Sequence, residues 1–463
     1  MTNKLKYALL SIVFILGYAS LSFELIILRQ LINFVGSNTL ITSIVITFIL
    51  LFMSIGYYIG STIKFNKHKI RNKILKMLVA LTSIFLFASS YYLMSSYFIL
   101  MNFFNIKSFL ISVGLYCCIF IAVPSVFMGF ITSAIGRIIH HYNVDYTGRF
   151  MAVDTFGSVF GSIATTLIFM PFLSVSITIV ILIALTSFCL LIICNKKDIP
   201  TFSVLLILFT FFSYILNNEY IMTGKNYLVQ DDAVSRIEII PDDIIDNKPQ
   251  SLLMTINSSQ SSKISKNEDL MFDYIKFINN NFIHTLDKNN IHDILILGAG
   301  GFTIGLNDTK NKYTFVDVEK NLKTISEEKF LHQPLSKNKQ FIYQDAYLFM
   351  LNDKNKYDII VVDVYSAAHS IPLNFVTTNF FSMVKSHLKI NGIMIANITT
   401  SPNFKNMFSK RIDNTLRSVF NNNLNRQVLH YNYEIANVEY IYYHYTPDNT
   451  IYTLNKSSAM YGQ

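Results

Sequence analysis

Three aspartates stand at the ends of three short apolar runs, and the run before them ends in a glycine turn. Asp293-Ile-Leu-Ile-Leu leads into Gly298-Ala-Gly300-Gly301. Tyr313-Thr-Phe-Val leads into Asp317, Phe341-Ile-Tyr-Gln into Asp345, and Asp358-Ile-Ile-Val-Val into Asp363. Gly298 and Gly300 let backbone approach a ligand closely. Asp317, 19 residues after Gly298, stands near where an acid takes ribose hydroxyls. Asp345 is within reach of an adenine amino group. Asp363 faces whatever reacts, and a carboxylate there can hold an ammonium and accept its proton. Each acid alone also reads as a helix N-cap or turn residue. The set, in register with the turn, points to a nucleoside-sized pocket. Thr303 stands where the third glycine of Gly-x-Gly-x-x-Gly would be, which argues against a dinucleotide.

Charges inside apolar runs are the second chemical signal, because they are expensive there and mark function or fixed packing. Glu24 and Arg29 lie in the first run and Asp154 in the fifth. The structural reading pairs Glu24 and Asp154 with Arg29 or Arg149. The functional one makes them an acidic site for a cationic substrate. Gly157 and Gly161 have the spacing of close helix packing, and Pro124 should kink its helix.

Positioning these residues takes two kinds of element. Seven apolar runs, at about 7–28, 39–63, 77–101, 108–135, 150–171, 174–194 and 200–217, are long enough to span hydrocarbon as helices. The continuous Val/Ile/Leu runs after residue 292 suit a parallel sheet buried on both faces, which binds ligands outside the carboxyl ends of its strands. Between these parts, Ser235–Ile240 and Ser251–Ile256 read as strands and 268–286 as a helix. The predicted division is 1–220 for the integral membrane domain, 221–290 for a small β-domain with its connecting helix, and 291–463 for the nucleoside-binding α/β domain.

Composition agrees. Of 463 residues, 52 % are hydrophobic and 14 % charged, against about 25 % charged in soluble domains. Residues 1–199 hold 14 Lys/Arg and 4 Asp/Glu, whereas 200–463 hold 24 and 25. The basic excess thus belongs to the loops between apolar runs, and nucleic acid is excluded as the partner it signals. The loop at 64–76 carries Lys64, Lys67, Lys69, Arg71, Lys73 and Lys76 and should be cytoplasmic, with the N-terminus. Cys117, Cys118, Cys189 and Cys194 lie in apolar runs without metal-ligand spacing, so no metal site is expected.

At this point the chain resembles the membrane-fused spermidine synthases, polyamine aminopropyltransferases with a multi-span N-terminal domain. The resemblance rests on Gly17 through Glu24 and Arg29, Gly56 and Gly60, Pro124 through Gly129, and Asp154 through Gly161, where the family usually has Asn in place of Asp154. In the C-terminal half it rests on Gly298–Gly301, Val316–Glu319, Gln344-Asp345-Ala346, Tyr357 through Asp363, and Ile371-Pro372 with Thr377 and Phe380. It implies a Rossmann-like fold of the class I methyltransferase type preceded by a small β-domain. It implies decarboxylated S-adenosylmethionine as co-substrate, with S-adenosylmethionine as the alternative. The Gly298–Gly301 turn, Asp317, Asp345, Ala346 and Gln260 would hold the nucleoside. Asp363 would be the base, and Tyr274, Tyr365 and Ser366 would line the amine site. Further departures are visible: soluble members carry Asp-x-x-Asp-Pro where this chain reads Asp363-Val-Tyr-Ser366-Ala, so the second acid is missing; the acidic and histidine residues that usually follow the β-domain are not clearly matched at Glu268, Asp273 and Tyr274; and Asn379 replaces a usual Glu.

The expected activity is aminopropyl transfer to an amine, of the putrescine-to-spermidine type, releasing methylthioadenosine. Two alternatives stay open: another S-adenosylmethionine-type transferase such as a methyltransferase, and a non-catalytic polyamine-binding or transport protein. The expected partners are a small amine and the lipid bilayer, with a homo-oligomer left open. The expected location is a bacterial inner membrane. Six spans would return the chain to the cytoplasm at Asn195–Asp198, and a seventh would reverse that. Because nucleoside sulfonium donors are cytosolic, the expectation leans towards a cytoplasmic catalytic domain, with 200–217 not fully crossing.

Overall fold

The computed structural model describes residues 3–36, 39–62, 67–106, 108–142, 147–246, 248–365 and 371–445. The chain divides into two compact units, one built on Met1–Ile240 with Leu253–Ser261, the other on Pro241–Leu252, Ser262–Tyr365 and Ile371–Gln463.

The N-terminal unit is helical. Its long elements are α1 (Asn3–Val35), α2 (Thr39–Ser61), α3 (Lys67–Ala88), α4 (Tyr91–Phe103), α5 (Phe109–His141), α6 (Thr147–Leu173), α7 (Val175–Ile193) and α8 (Lys196–Leu216). Six of these are long and apolar enough to cross a membrane, and the α3–α4 pair makes up to seven. The third apolar run is therefore not one straight helix: Arg71–Ala88 and Tyr91–Phe103 meet at 61°. The backbone groups freed at the break find partners. Tyr116 donates to Ala88 O at 3.0 Å, Gln30 Nε2 to Ser89 O at 3.1 Å, and the Tyr91 amide to Asn217 Oδ1 at 3.3 Å. Satisfied in this way, a helix can break away from water.

Pro124 sits just after a widened turn in α5. It supplies no amide, and the turn before it, Cys117–Ile121, widens to π-helix with Ala122 N bonded to Cys117 O. Ala164–Phe169 does the same before Pro171.

Glycines set the helix pairing. A Cβ at Gly157 would stand 2.2 Å from Phe14 O, one at Gly161 2.4 Å from Tyr18 O, and one at Gly17 2.2 Å from Asp154 O. Ser22 accepts from Thr165 at 2.7 Å. Residue numbers rise together along this seam, so α1 and α6 run parallel. Gly56 meets Val126 O, Gly60 meets Phe130 O and Gly129 meets Met53 O in the same manner, so α2 and α5 are parallel too. Such contact distances exclude any side chain larger than hydrogen. At the far end of the unit, Arg71 donates to Ile193 O and Asn195 Oδ1, both at 2.6 Å. Ser90 donates to Leu216 O at 2.8 Å. Thus α7 ends where Arg71 starts α3's apolar stretch, and α8 ends where α3 ends.

Strands β1 (Leu228–Asp231), β2 (Arg236–Ile245), β3 (Lys248–Ile256) and β4 (Ser259–Ser265) form a four-stranded sheet in that order. A separate small β-domain, expected from the sequence, is not evident.

The C-terminal unit is built on β5 (Asp293–Leu297), β6 (Lys312–Asp317), β7 (Lys339–Tyr343), β8 (Tyr357–Val362), β9 (Leu388–Thr400), β10 (Leu424–Val428) and β11 (Ala436–His444). Their order is β10-β11-β9-β8-β5-β6-β7. Neighbours from β9 to β7 are parallel, and β11 is antiparallel to both β9 and β10. Ile294 through Leu297 and Ile359 through Val361 have no exposed surface, which is why these strands read as unbroken apolar runs. Sequence order reverses between β5 and β8, which makes that crevice the switch point where such sheets bind ligands.

Candidate active site at the carboxyl ends of β5, β6 and β8

The chain leaves β5 through glycines that no other residue could replace cheaply. Gly298 has φ +91° and Gly300 φ +48°, and a Cβ at 298 would stand 2.1 Å from Asp363 O. The Gly298 amide donates to Val316 O at 3.0 Å, and the Asp363 amide donates to Leu297 O at 2.8 Å. Gly301 is closed in by Phe330 and Ser262, and its amide donates to Ser262 Oγ at 2.8 Å.

Asp317, half-buried, braces this turn. Its Oδ2 accepts from Ala299 N at 2.9 Å and its Oδ1 from Glu319 N at 3.0 Å. Burial pushes its carboxyl up, opposed by those amides. Asp345 is exposed and caps the helix Ala346–Asn352 by accepting from Leu348 N at 3.0 Å; Ala346 is buried as the first residue of that helix. The glycine turn and Asp317 come together directly, whereas Asp345 is turned to a capping task.

Asp363 lies one residue beyond β8, half-buried. Tyr274 donates to its Oδ2 at 3.0 Å and Asn397 Nδ2 to its Oδ1 at 2.9 Å. Burial pushes this carboxyl up to about 6, although both hydrogen bonds pull it down. Its proton affinity therefore sits near neutral pH, which suits a general base. Asn397 also accepts, through Oδ1, from Asn437 Nδ2 at 2.8 Å. Tyr365 turns its hydroxyl to β9, donating to Asn397 O at 2.9 Å and accepting from Thr399 N at 2.6 Å.

Gln260 is on β4 and exposed. Ser366 lies outside the described residues. Among the described residues there is no group of His, Cys, Asp and Glu that could hold a metal ion. An open depression of about 860 Å³ lies at the opposite, amino ends of the strands, lined by Asp293, Lys312 and Tyr357. The glycine turn, Asp317 and Asp363 lie instead at the carboxyl ends, at the switch point.

Arg29 differs from expectation. Its partners are Asp231, 3.6 Å from Nη2, and Asp232 O, 2.6 Å from Nε, rather than Glu24 or Asp154. Arg236 shares Asp231 at 3.3 Å, bonds Glu238 at 2.8 Å and stacks on the Tyr91 ring at 3.8 Å. Arg29 is near the end of α1, so it reaches residues just after the helices. Glu24 and Asp154 are half-buried and are not joined to it.

Sequence reasoning missed Asn397 as a partner of Asp363 and missed Glu439. The available signal for Glu439 was a lone acid within the otherwise uncharged run from Ala436 to Tyr443.

Residues 279–441 match the spermine/spermidine synthase domain family. A probable polyamine aminopropyl transferase of Bifidobacterium longum (strain NCC 2705) is 28 % identical over 139 residues, 29 % of this chain and 30 % of that protein. The chain thus matches under a third of that curated relative's length. Among solved structures, a probable spermidine synthase from Corynebacterium glutamicum ATCC 13032 aligns at 21 % identity and TM-score 0.39, over 48 % of this chain and 80 % of its own. The Thermotoga maritima spermidine synthase aligns at 16 % and 0.34, over 45 % and 69 %. Over residues 279–441, the C-terminal region of this chain is thus similar to the spermine/spermidine synthase domain.

Proposed function

We propose that the chain is a polyamine aminopropyltransferase with a Rossmann-like catalytic domain and decarboxylated S-adenosylmethionine as donor. The observation that carries this is Asp363: a carboxylate at the switch point, held by Tyr274 and Asn397, with a proton affinity near neutrality. The acceptor nitrogen attacks the carbon beside the donor's sulfonium. A C–N bond forms, the C–S bond breaks, and its electron pair leaves on sulfur as neutral methylthioadenosine. An amine near pKa 10 is mostly protonated and has no free lone pair, so Asp363 holds the ammonium and takes its proton. The sulfonium supplies the leaving group; the protein's share is to orient the partners and exclude water. Asp317 and the Gly298–Gly301 turn would hold the nucleoside, and Asp345 has one carboxylate oxygen outside its capping bond for the base.

Full-length protein in detergent, given decarboxylated S-adenosylmethionine and 1,4-diaminobutane, should release methylthioadenosine. Release of S-adenosylhomocysteine when S-adenosylmethionine replaces the decarboxylated donor, with the methyl group on the amine, would make it a methyltransferase, and binding without turnover would make it a carrier.

We infer further that residues 217–240 face the side of the membrane opposite the start of α3 at Arg71. The support comes from the N-terminal unit. Because α2 and α5 are parallel, the chain between them must cross back, and Arg71–Ala88 is about 27 Å long, enough to do so. From the two contacts at its ends, α7 runs against that helix and α8 along it. The count is then seven, and residues 217–240 leave at the end marked by Arg29 and Tyr91, away from the basic loop. This goes against the leaning towards a cytoplasmic catalytic domain. A reporter fused after Asn218 decides it: alkaline phosphatase activity supports seven crossings, and fluorescence of a cytoplasmic reporter overturns them. An outer location would also require the donor on that face.

A further inference from the structure

We propose that Glu439 is the second anionic group of the acceptor site, selecting an amine that carries a second positive charge. This rests on Asp363 being the acceptor-side acid.

Glu439 lies on β11, an interior strand, directly opposite Asn397 of β9. Directly opposed residues project on the same face of a sheet. Asn397 gives an amide hydrogen to Asp363 and its amide oxygen accepts from Asn437, and it makes no hydrogen bond to Glu439. Glu439 has no exposed surface, and neither carboxylate oxygen has a hydrogen-bond partner among the described residues. Tyr274 and Tyr365, which feel its charge, have committed their hydroxyls elsewhere. Asp363 is the charged group that acts on Glu439, and no described Lys, Arg or His pairs with either acid.

A buried carboxyl without a partner is costly. Glu439 is such a carboxyl; with Asp363 acting on it and no described cation beside either acid, the component missing from the site is positive. A diamine brings two ammonium groups on a flexible chain. One end reacts beside Asp363, and the other meets Glu439.

The test compares 1,4-diaminobutane with butylamine, which has the same chain and one amine. Binding of each to full-length protein in detergent is measured by calorimetry, for the wild type, Glu439→Gln and Glu439→Asp. We expect wild type to bind the diamine at least about 10-fold tighter, Glu439→Gln to abolish that preference, and Glu439→Asp to retain part of it. Butylamine affinity should change less than about 2-fold in either variant. A wild type without diamine preference, or a Glu439→Gln protein that keeps it, overturns the proposal. A well-folded Glu439→Asp protein without preference does the same. The binding readout does not depend on turnover. Diamine preference without methylthioadenosine release sinks the transferase reading alone, and release without preference sinks Glu439 alone.

Discussion

The Tyr274 hydroxyl donates to Asp363 Oδ2 at 3.0 Å, joining the helix Asp273–Ile278 to the residue that follows β8. This bond favours the charged form of Asp363 against burial, and so sets where the group titrates. Losing it should move the proton affinity further up. In Tyr274→Phe, the acid limb of the rate–pH profile should shift to higher pH, with turnover at high pH reduced less than about 10-fold. A limb that stays at its wild-type position would show that the hydroxyl does not tune Asp363.

Asp363→Asn should lower turnover at least about 100-fold, the scale of losing a general base. Nucleoside binding, measured by calorimetry with methylthioadenosine, should stay within about 3-fold, because the turn and Asp317 are untouched. In the wild type, rate should rise through about pH 6 and level off above it. A variant with unchanged turnover would remove Asp363 from the mechanism.

The same substitution should stabilise the protein at neutral pH. The folded state raises this carboxyl above its unfolded value, so the folded form binds the proton more tightly. Stability attributable to the group therefore falls as pH rises from about 4 to 6 and stays low above that. Asp363→Asn removes the loss, worth on the order of 1–3 kcal/mol as an upper range for a partly buried group. Thermal unfolding in detergent should show a higher Tm than wild type at pH 7.5 and no difference at pH 3.5.

Gly298→Ala should unfold or displace the turn. It puts a side chain at φ +91° and 2.1 Å from Asp363 O, costing more than about 2 kcal/mol. Nucleoside affinity and Tm should fall together; a variant with normal Tm and affinity would refute the close approach.

Arg29→Met should destabilise the N-terminal unit. It leaves Asp231, almost fully buried, with Arg236 alone. Removing one member of a buried ionic group costs about 3–5 kcal/mol. Arg29→Met with Asp231→Asn should recover part of it, and a Tm no higher than that of the single variant would show that the two residues are not coupled.

Much of the molecule was legible from local pattern. An apolar run such as Asp293–Leu297 is a buried strand wherever its neighbours lie, because both faces must avoid water, and the glycines and acids after such runs mark the edge where backbone turns. Helix length, Lys/Arg placement and the proline sites are equally local. Other features depended on contacts across long stretches of chain. Asp345 became a helix cap through the geometry of one turn. Arg29 met Asp231 rather than Glu24 because helix ends, not helix middles, meet the segment that follows the bundle. Glu439 came beside Asn397 through strand register, and a shift of one residue would have turned it to the opposite face. Types and spacings thus announced a sheet, a bundle and an acidic edge; which charges share a site was decided by pairing among strands and helices distant in sequence, where burial leaves each carboxylate only the partners that tertiary packing brings.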